Sequence, residues 1–153
     1  MKDNQYLKLI SLATHALFTG GCIVILFVLV PFWQQSPAED FLSWFSTYST
    51  NIAMTMLPLE VIPLILSTVI CYVAFRQKED NRKWWLYNLL SNIAILLLFF
   101  VYFMPANSSM SLGTITIEQV ANEIAKWEKY HIARTALTAL SIMFCFIGLK
   151  SNH

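Results

Sequence analysis

Four side chains that lipid normally rejects, His15, Glu60, His131 and Arg134, lie inside long apolar runs of this 153-residue chain. An ionisable group there costs a few kcal/mol to insert, so each is a functional-site candidate by default. Near the C-terminus, Trp127, His131, Arg134, Thr138, Ser141 and Cys145 recur in alternating steps of four and three. That spacing puts them on one stripe of a helix. Every polar side chain in the core of this segment except Thr135 falls on the stripe, which must therefore face protein or a cavity. The same pattern serves either as a polar seam between helices or as one wall of a pocket, and a pocket needs groups from other helices. Glu60 is such a group. With a rise of ~1.5 Å per residue from the assumed span centres, Glu60 lies about 4 Å outward of the midplane and Arg134 about 8 Å. An arginine side chain covers that difference, so a Glu60–Arg134 pair is expected to relieve the burial of both charges; a purely structural pair would instead fix bundle register.

Other arrangements carry less chemistry. Asn88 and Asn92 are one helical turn apart, at the depth of His15, and fit a separate interhelical hydrogen-bond cluster. Cys22, Cys71 and Cys145 contain no C-x-x-C, which argues against a membrane thiol oxidoreductase. No H-x-x-E or H-x-x-x-H pairing is present, and His15 and His131 fall on opposite sides of the midplane, so no metal site is expected.

The elements that position these residues follow from charge spacing. Hydrophobic residues make up 57% of the chain and charged residues only 12%, about half the charged fraction of a soluble domain. Between Lys8 and Glu39 and between Lys83 and Glu118 there is no Asp, Glu, Lys or Arg; Asp40 to Arg76 is broken only by Glu60, and Arg134 to Lys150 is again uncharged. A helical span uses ~20 mostly apolar residues. Four spans are predicted, Leu7 to Val30, Asn51 to Phe75, Trp84 to Met104 and Tyr130 to Leu149, all helical because an open strand edge cannot satisfy its backbone in lipid. The fold class is an all-α membrane protein, a four-helix transmembrane bundle forming a single domain over residues 1–153. Phe41, Leu42, Trp44, Phe45 and Tyr48 fit a short amphipathic helix entering the second span. Ile117, Val120, Ile124 and Trp127 fit another, capped by Thr116, that runs on into the fourth. Pro31 and Pro105 are expected to punctuate the first and third spans, and Pro58 and Pro63 to kink or open the second. Gly20 and Gly21 are expected to allow close helix contact.

Lys2, Lys8, Arg76, Lys78, Arg82, Lys83 and Lys150 flank one side of the spans, against Lys126, Lys129 and Arg134 on the other. The positive-inside rule then makes both termini cytoplasmic, and a bacterial inner membrane is the expected location. No room remains for a soluble domain, and ten Lys plus Arg against nine Asp plus Glu is no nucleic-acid footprint.

Met104-Pro105-Ala106-Asn107 and, further on, Trp127-Glu128-Lys129-Tyr130-His131-Ile132-Ala133-Arg134 resemble the P-x-N and W-x-x-x-H-x-x-R signatures of the anthrone-oxygenase-like family of small four-span membrane proteins. The signatures cover the last third of the chain; the rest is similar in span layout and in a Gly-containing first helix that ends at a Pro. A few polyketide-pathway members of that family oxidise anthrones to anthraquinones with molecular oxygen and without a cofactor. The resemblance implies roles for the matching positions: His131 as the base, Arg134 as fixed positive charge for the carbanion or phenolate and the superoxide-like species that follows, Asn107 as a hydrogen-bond partner of a substrate oxygen, and Trp127 as a platform for a flat ring. Glu60 lies outside the signatures and joins the substrate-binding set by depth alone.

Two functions remain open at this point. One is a cofactor-free oxygenase acting on a planar, lipid-soluble aromatic such as an anthrone-like compound. The other is a non-catalytic protein that binds a lipid-like ligand or assembles with a partner complex. Expected partners are membrane lipids, a hydrophobic small molecule and a second copy of the chain, but no nucleic acid. A cavity surrounded by Glu60, Asn107, Trp127, His131 and Arg134 would separate the two readings.

Overall fold

The computed structural model describes the backbone of residues 2–150 and side chains from residue 5 onward; the Lys2 side chain, counted above among the flanking cations, lies outside the described residues. The chain folds into four long helical rods. The first comprises α1 (Lys2–Val24), a π-helical segment (Ile25–Leu29) and α2 (Val30–Gln35); the second is α3 (Ala38–Arg76). The third comprises α4 (Arg82–Leu98), a second π-helical segment (Phe99–Phe103) and α5 (Met104–Ser111), and the fourth is α6 (Ile117–Lys150). Each rod is long and apolar enough to cross a membrane, and large side chains such as Leu17, Phe27, Leu97, Val101 and Phe146 point outward where lipid would cover them. The protein is an all-α integral membrane bundle. Consecutive rods pack side by side and the fourth closes on the first, giving an up-down-up-down ring. One end carries the start of α1, the end of α6 and the 77–81 connection; the other, the two-loop end, carries residues 36–37 and 112–116.

Both amphipathic segments are helical, but neither is separate from its span. Phe41 and Phe45 are buried against Trp33, edge to face, which holds the first turns of α3 in line with the rest. Thr116 immediately precedes α6, and its backbone N–H donates to Gln119 Oε1 at 3.3 Å, the glutamine arm of a capping box. Gly113, at φ +63°, ends α5, with Thr114 N–H bonded to the Ser109 carbonyl at 3.0 Å, the 6→1 bond of a Schellman turn.

Pro31 and Pro105 do not end their helices. Each sits two residues after a π-helical segment in the same spacing, Ile25–Leu29 then Val30-Pro31, and Phe99–Phe103 then Met104-Pro105. A proline lacks its amide and its ring collides with the carbonyl four residues back; i→i+5 bonding in the preceding turn widens the helix there, so the rod continues. Helical structure likewise runs through Pro58 and Pro63 in α3 without a break. Gly21 does permit close contact, since an added Cβ would lie 3.0 Å from Met56 Sδ; Gly20 does not, because no heavy atom lies within 4 Å. The tight approach that was not anticipated is Gly148, where a Cβ would sit 2.9 Å from the Trp85 ring.

Candidate functional site

The α6 stripe faces inward over its whole length: Trp127, His131, Arg134, Thr138, Ser141 and Cys145 are all buried. It serves two polar clusters separated by an apolar layer of Phe18, Cys22 and Ile95.

In the half nearer the termini, His15 of α1, Ser67 of α3, Asn88 and Asn92 of α4 and Ser141 of α6 converge, so every rod contributes. His15 Nδ1–H donates to the Ser11 carbonyl at 2.7 Å. Its Nε2 therefore accepts, with the amide nitrogens of Asn92 at 3.1 Å and Asn88 at 3.2 Å. Asn88 Nδ2 also donates to the Ser141 carbonyl at 2.8 Å, Asn92 Nδ2 to Ser141 Oγ at 2.9 Å, and Ser67 Oγ–H to Asn88 Oδ1. The anticipated Asn88–Asn92 cluster thus exists, with His15 as its hub.

Toward the two-loop end the arrangement differs. His131 has no exposed surface; its ring stacks on Trp127 at 4.7 Å between centroids. Its Nε2–H donates to the Cys22 carbonyl at 2.9 Å, which leaves Nδ1 to accept from Arg134 Nη2 at 3.0 Å. The guanidinium carbon of Arg134 lies 4.3 Å from the Phe103 ring centroid, within cation–π range. Glu60 Oε2 is 4.0 Å from Arg134 Nη1, an ion pair too long to be a hydrogen bond. Glu60 and Arg134 are 7% and 6% exposed, yet Glu60 Oε1 and Arg134 Nε have no hydrogen-bond partner. Nearer the loop end, Trp127 Nε1–H donates to Asn107 Oδ1 at 2.9 Å.

Glu60 and Arg134, which carry these unpartnered atoms, line a cavity of about 310 Å³ together with Asn107, Trp127, Ile25, Trp33, Phe45, Met56 and Phe99. That is the lower end of the range for small-molecule pockets. Ile25 and Phe99 belong to the two π-helical segments, so the widened turns before the prolines lie at cavity level. Met54 and Leu57 also line it and are 70% and 49% exposed on the lipid-facing side of α3, which makes the opening lateral.

Four of the five residues singled out in the sequence line this cavity. His131 does not. It stands behind Trp127 and Arg134, with both ring nitrogens engaged. Trp33 was missed: it is 3% exposed, lines the cavity, and its indole N–H has no partner. Its only sequence signal is a tryptophan two residues after Pro31 in an otherwise uncharged run. Among the described residues, no three His, Cys, Asp or Glu side chains converge to hold a metal ion.

A family model described as anthrone oxygenase matches residues 44–144, a segment that contains Glu60, Asn107, Trp127, His131 and Arg134. No curated protein and no solved structure matches the chain. With the match extending over more than half the chain, and four membrane-length helices carrying the residues of its signatures, this protein belongs to the anthrone oxygenase family.

Proposed function

We propose that the cavity binds a planar, lipid-soluble hydroxyaromatic of the anthrone type and that the protein catalyses its oxygenation by molecular oxygen without a cofactor. The observation that carries this reading is that two neighbouring cavity-lining residues, Glu60 and Arg134, bury a carboxylate oxygen and a guanidinium N–H that have no partner. Each such group costs about 1–3 kcal/mol when left unsatisfied. A ligand offering a proton to Glu60 and an oxygen to Arg134 offsets both.

The chemistry follows from those two groups. Removing a proton from the activated methylene of an anthrone gives an enolate, whose charge Arg134 stabilises. The electron-rich enolate reduces oxygen. In balance, one oxygen atom becomes the new carbonyl and the other leaves as water with the two methylene hydrogens, so anthrone plus O₂ gives anthraquinone plus water. We assign the base to Glu60 rather than His131, because Glu60 lines the cavity and its Oε1 has no partner, while both nitrogens of His131 are engaged. His131 becomes a positioning residue: accepting from Arg134 Nη2, it orients the guanidinium toward the cavity. Asn107, with its Oδ1 held by Trp127, presents the rest of its amide toward the ligand.

The non-catalytic alternative, a binder of a lipid-like molecule, draws on the lateral opening at Met54 and Leu57. Mass spectrometry of small molecules released from purified protein, followed by oxygen-uptake measurements on them, separates the two. Oxygenase function predicts a flat aromatic and uptake above the spontaneous rate; a bound acyl lipid without uptake supports the alternative.

A further inference from the structure

Three buried polar atoms on cavity-lining residues lack a partner: Glu60 Oε1, Arg134 Nε and Trp33 Nε1. The proposed reaction uses the first two. Trp33 comes from α2, outside the 44–144 segment of the family match. Packing alone does not explain an indole there. Phe41, Phe45 and Trp127 surround it at centroid distances of 5.9, 5.6 and 5.2 Å, all edge to face, and a phenyl ring would serve those contacts without burying a donor. A buried indole N–H normally finds a partner. Trp85 also buries an unpaired N–H, but against Gly148 and not in the cavity lining.

The position of Trp33 says what partner would fit. It packs on Trp127, which precedes Arg134 by seven residues of α6, two turns or about 10 Å along the bundle axis. Trp33 therefore lies on the loop-end side of the cavity lining, and Arg134, with the acceptor Glu60 beside it, on the side nearer the middle of the bundle.

We propose that Trp33 is a ligand-binding residue whose indole N–H donates to an oxygen at the end of the ligand remote from Glu60 and Arg134, selecting planar aromatics with oxygen on both outer rings. This rests on the reading that the occupant is a planar hydroxyaromatic. Two probes that cannot turn over test it: a dihydroxyanthraquinone with one hydroxyl on each outer ring, and its monohydroxy counterpart. Equilibrium binding of each to the detergent-solubilised full chain is followed by probe absorbance. The wild type binds the dihydroxy probe about 3- to 10-fold more tightly, the worth of one neutral hydrogen bond, and Trp33→Phe abolishes that preference while keeping the monohydroxy affinity. A preference that persists in Trp33→Phe, or none in the wild type, overturns the role of Trp33 with the cavity reading intact. Binding of neither probe by folded wild type overturns the underlying reading and the proposal with it. If Trp33→Phe does not fold, the Trp33 indole N–H resonance of the wild type decides: a downfield shift with the dihydroxy probe alone supports the proposal, and no shift overturns it.

Discussion

The two polar clusters on the inner face of α6 are built from similar parts and end in opposite states. Each has a fully buried histidine, each draws side chains from all four rods, and each uses α6 residues of the same stripe. Around His15 the donors and acceptors of Ser67, Asn88, Asn92 and Ser141 are matched to one another. Around His131 the histidine is matched too, but Glu60, Arg134 and Trp33 keep unused hydrogen-bonding capacity beside a cavity. A buried histidine in a membrane helix therefore has two readings, and on the function proposed above the unpartnered polar groups of cavity-lining residues distinguish them. The two π-helical segments lie on the cavity side of this difference, since each contributes one lining residue, Ile25 and Phe99.

The sharpest way to break the comparison is to remove the unspent groups. Arg134→Gln is expected to lower the oxidation rate by about 100- to 1000-fold, as loss of a charge-stabilising donor does, and Glu60→Gln by about 100-fold as loss of a general base; steady-state rates on anthrone measure both. Equal rates in wild type and both variants would dissolve the distinction between the clusters. Next come the histidines. His131→Ala is expected to reduce the rate about 10-fold through a misoriented Arg134, whereas His15→Ala leaves it within about twofold and lowers thermal stability instead. A flattened pH–rate profile in His131→Ala but not in Glu60→Gln would return the base role to His131.

Smaller effects test the structural half. Asn92→Ala removes donors to His15 and Ser141 and is expected to cost about 1–2 kcal/mol of stability in detergent unfolding, with probe affinity unchanged. Glycine substitutions then compare packing in the two halves. Gly148→Ala meets the rigid Trp85 ring at 2.9 Å and is expected to destabilise by about 1–2 kcal/mol. Gly21→Ala meets the end of the flexible Met56 side chain, which borders the cavity and can yield into it, so its effect is expected to be smaller.

Much of this organisation was readable before any coordinates. Charge spacing located four spans, and steps of four and three on one segment identified the α6 stripe, because helical periodicity is a local property of the chain. Depth counting paired Glu60 with Arg134 and separated Asn88 and Asn92 from them. What local spacing does not report is of another kind. A lone proline favours termination, so Pro31 and Pro105 look like ends in the sequence, whereas the adjustment that lets each rod continue is made in the preceding turn. Residue type makes His131 a candidate base, but which groups occupy its nitrogens, Arg134 and the Cys22 carbonyl, depends on neighbours three and 109 residues away, one of them beyond the reach of helical spacing. Trp33 was passed over because an unpaired N–H is defined by what fails to surround it, and spacing along one helix does not report that.

The central claim, that the unsatisfied Glu60–Arg134 wall is a reaction site while the His15 cluster is a structural tie, comes down to oxygen uptake with anthrone by the wild type, Arg134→Gln and Asn92→Ala. One O₂ is expected to be consumed per anthrone by the wild type and by Asn92→Ala, with uptake about 100- to 1000-fold slower for Arg134→Gln. Uptake that is equal in all three proteins, or no faster than in buffer for the wild type, would contradict it.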